Sequence, residues 1–248
     1  MVLVEQRFET ILEELERTHA ASVSRLCELT GASEATTRRD LTVLASRGLI
    51  SKVHGGAVLA GNEFEGNEPN VETKNTLHPD EKVRIARYAA SLVSDDDVVF
   101  LDAGTTTYHM LDYLHGSKAT FVTNSVFGAQ KLMELGLKGY VLGGKMKAGT
   151  GAIVGTLVCE GLERYNFTKA FLGINGITIR QGYTTPDPEE AAIKLKAADQ
   201  AYMTYILADS SKFQKVSAVT VLPLERAVII TEHLPDQAYL EYTIVKEV

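Results

Sequence analysis

From Phe8 to Ala45, hydrophobic residues recur at the spacing of an α-helix, and from Leu49 to Leu59 they alternate at the shorter spacing of a β-strand. Apolar side chains at i, i+3, i+4 and i+7 predict a helix that runs to about Arg17. Ser22 and Ser33 are suited to cap a second and a third helix, and Gly31 is expected to end the second. Gly48 is placed to end the third helix. The inner faces of the first and third helices are predicted to hold Phe8, Ile11, Leu12, Leu15, Thr37, Leu41, Leu44 and Ala45.

A loose alternation follows from Leu49 to Leu59 around His54-Gly55-Gly56. It predicts a β-hairpin with a glycine tip. Three helices and a hairpin predict a winged helix-turn-helix domain over residues 1–59. Residues 60–75, AGNEFEGNEPNVETKN, are rich in Gly, Asn and Glu without a sustained period, which predicts a linker.

Short apolar runs alternate with helical stretches over residues 76–248. A helix capped by Asp80, with Val83, Ala86, Ala90 and Val93 inward, is predicted to precede the first run. Helical stretches at 126–135 and 189–201 separate later runs. The runs themselves are VVFLD (98–102), TFVTN (120–124), YVLGG (140–144), AFLGI (170–174), YILAD (205–209) and VIIT (228–231). This order predicts an α/β domain with a mainly parallel sheet covered on both faces.

Composition narrows the class of protein. No apolar run approaches the length of a membrane span, and the first ten residues lack the features of a signal peptide, so we expect a cytoplasmic protein without a membrane partner. Cys27 and Cys159 are expected to be reduced and buried, and the six histidines lack ligand spacing, so neither a metal nor another cofactor is expected. The net charge of −7 does not exclude DNA, because residues 33–59 carry four basic against two acidic side chains.

The third helix and the hairpin carry the side chains expected to contact DNA. Polar and basic residues near the exposed N-terminal half of a capped helix suit insertion into a major groove, and the hairpin can reach the adjacent backbone. The alternative is that two adjacent arginines form only a solvated helix face. The candidates are Ser33, Thr36, Arg38, Arg39, Lys52 and His54.

The same segment resembles the DeoR family of transcriptional regulators, and the resemblance extends over nearly the whole chain. Ser33, Thr36 and Arg38 to Leu41 match S-x-x-T-x-R-R-D-L on the recognition helix, and His54 to Ala57 match H-G-G-A on the wing. Thr37 stands where the family has an aliphatic residue, and Lys52 where arginine is common. The resemblance implies a regulator that binds double-stranded operator DNA.

Small and polar residues follow several of the predicted strands. Gly104 to Thr107 offer a tight turn, hydroxyls and backbone N–H groups to an anion at the carboxyl end of a strand. Lys212 is the candidate for a second phosphate contact, with an ordinary surface lysine as the alternative. Together with the other strand ends, the candidate effector contacts are Asp102, Gly104, Thr105, Thr106, Thr107, Thr123, Asn124, Asn175, Glu190 and Lys212.

These loops also resemble the C-terminal domain of the DeoR family, in which L-D-A-G-T-T-T, T-N-S, L-G-G, N-G and D-S-S-K recur. That domain is similar in fold to ribose-5-phosphate isomerase, and the resemblance implies a phosphorylated sugar or sugar derivative as effector. The phosphate is then expected on Gly104–Thr107 and Lys212, with the rest of the sugar near Asp102, Asn124, Asn175 and Glu190.

Three functions remain to be compared. A sugar-phosphate isomerase needs a carboxylate base and a partner group, and both aspartates of the isomerases' D-G-A-D stretch are absent from Leu172-Gly173-Ile174-Asn175. A constitutive architectural protein would leave the phosphate-type loops without a purpose. We therefore expect a regulator with no catalytic residues, acting as a homodimer or homotetramer. The family resemblance favours repression of a sugar-utilisation operon, and activation stays open.

Overall fold

A computed structural model describes residues 4–47, 49–59, 63–64 and 70–248. The chain divides into two compact units, Met1–Asn62 and Glu63–Val248. The fold of each unit follows from its own core.

The N-terminal unit is a three-helix bundle with a small sheet. Its elements in chain order are α1 (Val4–Thr18), β1 (Ala20–Ser22), α2 (Val23–Thr30), α3 (Glu34–Ser46), β2 (Ile50–Val53) and β3 (Gly56–Leu59). The strands pair antiparallel in the order β1-β3-β2. Apolar residues at the predicted positions, including Ile11, Leu15, Leu41 and Leu44, are fully or almost fully buried in one core. This is a winged helix-turn-helix arrangement.

Local polar residues set the helix ends of this unit. The Ser22 hydroxyl accepts a hydrogen bond from the backbone N–H of Arg25 at 3.1 Å, and the Ser33 hydroxyl accepts one from Thr36 at 3.3 Å. Gly31 ends α2 with φ of +65°, a conformation that favours glycine. The predicted role of Gly48 lies outside the described residues.

The C-terminal unit alternates strands and helices. Its elements are β4 (Glu63–Phe64), α4 (Val71–Thr76), α5 (Pro79–Ser91), β5 (Val98–Leu101), α6 (Thr105–Met110), β6 (Thr120–Thr123), α7 (Val126–Glu134), β7 (Gly139–Val141), β8 (Lys145–Met146), β9 (Ile153–Val154), α8 (Thr156–Leu162), β10 (Phe167–Gly173), β11 (Gly176–Thr178), β12 (Gly182–Thr185), α9 (Pro188–Asp199), β13 (Ala201–Leu207), β14 (Lys215–Val216), β15 (Val219–Leu222), β16 (Val228–Thr231) and β17 (Val245–Glu247).

A parallel sheet organises this unit. Within the described residues, seven strands pair in the order β17-β16-β13-β10-β5-β6-β7, and each neighbouring pair is parallel. Side chains alternate between two cores: Val99 and Leu101 of β5 pack in one, and Phe100 packs in the other. Residues of α5 and α6 belong to the first core, and residues of α8 and α9 to the second. The sheet is therefore covered on both faces, as the continuous apolar runs predict.

The first long helix of the sheet domain differs from its prediction. Asp80 is not its cap: α5 begins at Pro79 after His78, and Val83 is exposed. Its buried face carries the predicted Ala86 and Ala90 together with Lys82, Ile85 and Ala89, and Val93 packs against the same core just after the helix. The cap and Val83 were predicted wrongly, because the true stripe begins at Lys82, one position before Val83.

Two further expectations need correction. Part of the predicted linker is regular structure, since β4 pairs with β14 and residues 71–76 form α4. The composition of this segment did not reveal the two elements, because β4 is held by backbone pairing with β14 and none of the α4 side chains is buried. Linker residues 60–62 and 65–69 lie outside the described part of the chain. Cys27 and Cys159 are free thiols, as expected, but only partly buried.

Candidate functional site

The N-terminal half of α3 presents polar and basic side chains. Ser33 caps the helix, and its hydroxyl lies 2.9 Å from that of Thr36. Arg39 is exposed. Arg38 is also exposed and pairs with Glu34 one turn earlier, with its Nη2 2.6 Å from Oε1. An exposed pair of this kind contributes little stability, so Arg38 can exchange Glu34 for a phosphate at small cost.

Two other residues of the recognition helix have structural roles. Asp40 is buried and accepts two hydrogen bonds from Arg7 of α1, at 2.8 and 3.0 Å. Thr37 is fully buried, and its hydroxyl lies 3.2 Å from the Cys27 sulfur of α2. These contacts hold α3 against α1 and α2. The polar Thr37 is tolerated in the core because its hydroxyl has the Cys27 sulfur as a partner.

The hairpin of β2 and β3 carries the remaining two predicted DNA contacts. His54 lies exposed in the turn beside Gly55, which has φ of +79°. The Lys52 ammonium donates to the Thr42 hydroxyl of α3 at 3.0 Å. Gly56 packs so closely on β1 that a Cβ there would lie 2.3 Å from the Ala21 carbonyl oxygen. The six predicted side chains thus lie on α3, its cap or the hairpin, and their contact with DNA stays a prediction.

A cleft opens in the C-terminal unit where β5, β10 and β13 end. Parallel strands bring their carboxyl ends to one edge, which is why residues far apart in the chain meet here. The predicted effector contacts that line it are Gly104, Thr105, Thr106, Asn175, Glu190 and Lys212.

Asp102 lies beneath the cleft and does not line it. One carboxylate oxygen accepts hydrogen bonds from the Gly104 N–H at 2.9 Å and the Thr107 hydroxyl at 2.8 Å. The other accepts from the Gly173 N–H at 2.7 Å and from the Lys194 ammonium. Asp102 therefore holds the loop after β5 to the end of β10, and Thr107 is part of the same network.

Thr123 and Asn124 also lie outside the cleft lining. The Thr123 hydroxyl donates to the Leu101 carbonyl at 2.7 Å, and the Asn124 amide donates to the Ile153 carbonyl at 3.0 Å. The buried Asn124 Oδ1 has no hydrogen-bond partner in the described part of the chain. An effector contact for either residue stays a prediction.

Lysines that the sequence did not assign to the site also line the cleft. Lys194 lines it while it pairs with Asp102. Lys82 of α5 is buried, and burial lowers the pKa of its ammonium, an effect that nearby Asp209 opposes. Lys82 is in helical phase with Ile85, Ala86 and Ala89, and this phase was the signal that could have placed it on the buried face.

Glu190 is held by neighbours on two sides. The Lys147 ammonium lies 2.7 Å from Glu190 Oε1 and 2.8 Å from Asp187, and the Thr150 hydroxyl donates to Oε1 at 3.2 Å. Asp187 caps α9 through the N–H groups of Glu189 and Glu190. Burial acts to raise the pKa of Asp187, but Lys147 and these amides outweigh it and lower the pKa. The oriented Glu190 carboxylate suits a sugar hydroxyl as an acceptor.

A second cavity adjoins the cleft at Gly104 and Thr105. It is more apolar, and it is lined also by Tyr108, Ser125 and Phe127 and by Val71, Glu72 and Asn75 of α4. Over the described ranges, no group of three or more His, Cys, Asp or Glu side chains is placed to hold a metal ion. The same part of the chain contains no helix long and apolar enough to cross a membrane.

Comparison with known families assigns both units. Residues 7–63 match the DeoR-like helix-turn-helix domain, and residues 77–233 match the DeoR C terminal sensor domain. The chain belongs to the DeoR family. It is a DNA-binding transcriptional regulator whose C-terminal unit is a DeoR-type sensor domain.

Full-length relatives agree with the DeoR assignment. The uncharacterized HTH-type transcriptional regulator FruR of Bacillus subtilis (strain 168) is 40% identical over 251 residues, which cover 100% of this chain and 99% of that protein. The lactose phosphotransferase system repressor of Streptococcus mutans serotype c is 30% identical over 241 residues, covering 96% and 95%. Ribose 5-phosphate isomerase A from Methanocaldococcus jannaschii is similar in structure with 17% identity, a TM-score of 0.41 and 54% of each chain covered. That similarity is too low to support a functional argument.

Proposed function

We propose that this DeoR-family regulator represses a sugar-utilisation operon and that a phosphorylated sugar in the cleft lowers its affinity for the operator. The observation that carries the proposal is the composition of the cleft. Lys82 and Lys212 line it together with Thr105 and Thr106. A phosphate monoester carries a charge of about −1.5 to −2 at neutral pH and accepts several hydrogen bonds, so it suits this set of donors.

The remaining polar groups suit the sugar part of the effector. Glu190 and Thr150 line the cleft next to each other, and Asn175 lines it at the end of β10. A carboxylate accepts hydrogen bonds from hydroxyl groups, and an amide side chain can accept hydrogen bonds from them and donate hydrogen bonds to them. The lactose phosphotransferase system repressor, a relative over almost the whole chain, supports a sugar as the source of the signal.

The cleft is proposed to bind its ligand without turnover. An isomerase needs a base that can take a proton from carbon. Glu190 Oε1 is already bonded to the Lys147 ammonium at 2.7 Å and to the Thr150 hydroxyl at 3.2 Å, so this oxygen is not open to a proton on carbon. If incubation with the sugar phosphates that bind produced an isomer detectable by NMR, the non-catalytic assignment would be wrong.

The DNA-binding unit is proposed to act in a cytoplasmic homodimer or homotetramer. Two heads on repeated or palindromic half-sites of double-stranded DNA give specificity that a single head lacks. The effector can change operator affinity only if it binds one arrangement of the oligomer more tightly than the other. Analytical ultracentrifugation with and without operator tests the oligomeric state, and a monomer in both samples would contradict it.

The first experiment measures thermal unfolding of the protein with a panel of sugar phosphates, each beside its unphosphorylated parent. A ligand at 100 times its Kd stabilises the native state by about 2.7 kcal/mol, which is visible as a shift in the midpoint. A compound that shifts the midpoint is then added to the protein bound to a duplex selected from a random library. We expect release of the duplex, and unchanged affinity with every compound that binds would refute the proposal.

Two variants separate the sites. Arg39→Ala is expected to weaken duplex binding and to reduce its salt dependence, with the response to sugar phosphate in thermal unfolding unchanged. Lys212→Met is expected to reduce that response and to leave ligand-free duplex binding intact. If each variant lost duplex binding and the response to sugar phosphate to the same extent, the assignment of these two functions to separate units would be wrong.

A further inference from the structure

Helix α4 is the first helix of the sensor unit, and it forms part of the cleft wall. Val71, Lys74 and Leu77, at and just after this helix, line the cleft. The strand β4, which pairs with β14 of the same unit, precedes α4 in the chain. A change in how α4 is held therefore changes this wall of the cleft.

In the described part of the chain, hydrogen bonds at both ends of α4 join it to the rest of the sensor unit. It has six residues, and none of its side chains is buried, so neither helix propensity nor apolar burial holds it in place. At its N-terminal end, the Val71 N–H donates to the Gly149 carbonyl at 3.0 Å. At its C-terminal end, the Lys82 ammonium donates to the carbonyls of Lys74 and of Leu77, the latter at 2.6 Å. A segment with so few buried contacts opens easily.

Lys82 faces the cleft as well as α4. It lines the cleft, and its residue is only 4% exposed. An ammonium has three N–H donors, and within the described residues two of them are used by the α4 carbonyls. The third is available to a phosphate oxygen without loss of the other two bonds. An anion at that position also favours the charged ammonium, which strengthens both bonds to the carbonyls.

We propose that Lys82 contacts the phosphate of the effector and at the same time ties α4 to the sensor domain. An occupied cleft then holds α4 in place, and an empty cleft leaves it free to detach. This rests on the proposed function, because it needs the cleft to bind phosphate. By linkage, an arrangement of the DNA-bound protein that pulls α4 away must weaken effector binding by the same factor.

Hydrogen exchange of the full-length protein tests this directly. The peptide that spans residues 71–77 is followed by mass spectrometry in saturating inorganic phosphate and in sodium chloride of equal ionic strength. In the wild type, phosphate is expected to slow exchange of the α4 amides by about tenfold or more, because tenfold is the lower end of what one hydrogen bond to a charged group contributes. Binding of phosphate is measured separately by the shift in unfolding midpoint.

Two matched variants each remove one ammonium from the cleft. Lys212→Met weakens phosphate binding, but saturating phosphate still slows α4 exchange as in the wild type, because Lys212 is not bonded to α4. Lys82→Met leaves α4 exchange fast with or without saturating phosphate, although phosphate still binds. Lys82→Gln keeps N–H donors without the charge. It is expected to be folded by circular dichroism and to show α4 exchange that does not respond to phosphate.

The outcomes distinguish this proposal from the proposed function. If neither inorganic phosphate nor any sugar phosphate of the panel shifts the unfolding midpoint of the wild type, both are overturned. If only a sugar phosphate shifts it, the exchange measurement is made with that compound. If phosphate binds but leaves α4 exchange unchanged, only the tie through Lys82 is overturned. If saturating phosphate slowed exchange of the α4 amides by the same factor in Lys82→Met, Lys82→Gln and the wild type, the tie through Lys82 would also be overturned.

Discussion

Replacing Asp102 with asparagine tests whether this carboxylate shapes the cleft. Its side chain is only 1% exposed, and its two oxygens accept hydrogen bonds from Gly104, Thr107, Gly173 and Lys194. Asn presents one carbonyl oxygen and one NH₂ group, and the NH₂ group cannot accept a hydrogen bond. Asp102→Asn therefore removes the acceptor for one pair of donors, whichever way the amide turns.

The cost depends on which pair loses its acceptor. If the NH₂ group faces Gly104, the Thr107 hydroxyl can still donate to the Gly104 carbonyl, 2.7 Å away. One buried N–H is then unsatisfied, at about 1–3 kcal/mol, and the bond to the Lys194 ammonium loses its charged acceptor, at about 1.5–3 kcal/mol. The other orientation takes the Asp102 carboxylate away from the buried Lys194 ammonium, which costs about 3–5 kcal/mol, and it removes the acceptor of the Gly173 N–H as well. We expect a loss of about 3 kcal/mol or more in either orientation.

Urea unfolding of the full-length protein, followed by circular dichroism, measures this loss. In a domain of this size it corresponds to a fall in Tm of roughly 10 °C. Asp95→Asn is the control, because Asp95 is 58% exposed and pairs at 3.7 Å with a lysine that is 81% exposed, and its expected loss is below about 1 kcal/mol. If Asp102→Asn lost less than about 1 kcal/mol but abolished sugar-phosphate binding, Asp102 would contact the effector instead of supporting the loop.

Three other changes test the two units. Gly56→Ala places a Cβ 2.3 Å from a backbone oxygen of β1, so we expect a loss of about 1–3 kcal/mol in thermal unfolding, together with weaker duplex binding; a neutral result would contradict the close approach. Asp40→Asn removes the charged acceptor of Arg7 and is expected to cost about 1.5–3 kcal/mol in urea unfolding. Lys147→Met removes the main cause of the low pKa of Asp187. The contribution of Asp187 to stability is present above its unfolded pKa of 3.8 and is lost as the pH falls through its lower folded pKa. Acid unfolding followed by circular dichroism is therefore expected to begin at higher pH in this variant, and an unchanged transition would refute the assignment.

Local sequence patterns predicted the elements whose causes are local. Ser22 and Ser33 cap helices because each side chain reaches an N–H three residues later, and such spacing is visible in the chain itself. The strand ends were predictable for a related reason: parallel strands deliver Gly104, Asn175 and Lys212 to one edge once the direction of the strands is known.

The sequence could not show which polar side chains near that edge face the cleft. Asp102 is separated by 92 positions from Lys194, and Lys147 by 43 from Glu190, and a single sequence contains no signal that joins residues at such distances. Asp102 matched the pattern of a ligand contact, and the fold shows that its carboxylate also bonds inward; its contact with the effector stays a prediction. Lys82 was missed for the opposite reason, because a lysine in a helix is expected at the surface.

The charges inside the cleft explain why a phosphate and not a neutral sugar is the expected signal. Lys194 is paired with Asp102, and Glu190 with Lys147, so these charges are largely compensated before any ligand binds. Burial lowers the pKa of Lys82, and the nearby charge of Lys212 lowers it further against the opposing effect of Asp209. A neutral sugar leaves that repulsion and the desolvation of Lys82 in place. Under the proposed function, a phosphate dianion between the two ammonium groups would offset both, and its binding energy would then be coupled through Lys82 to α4.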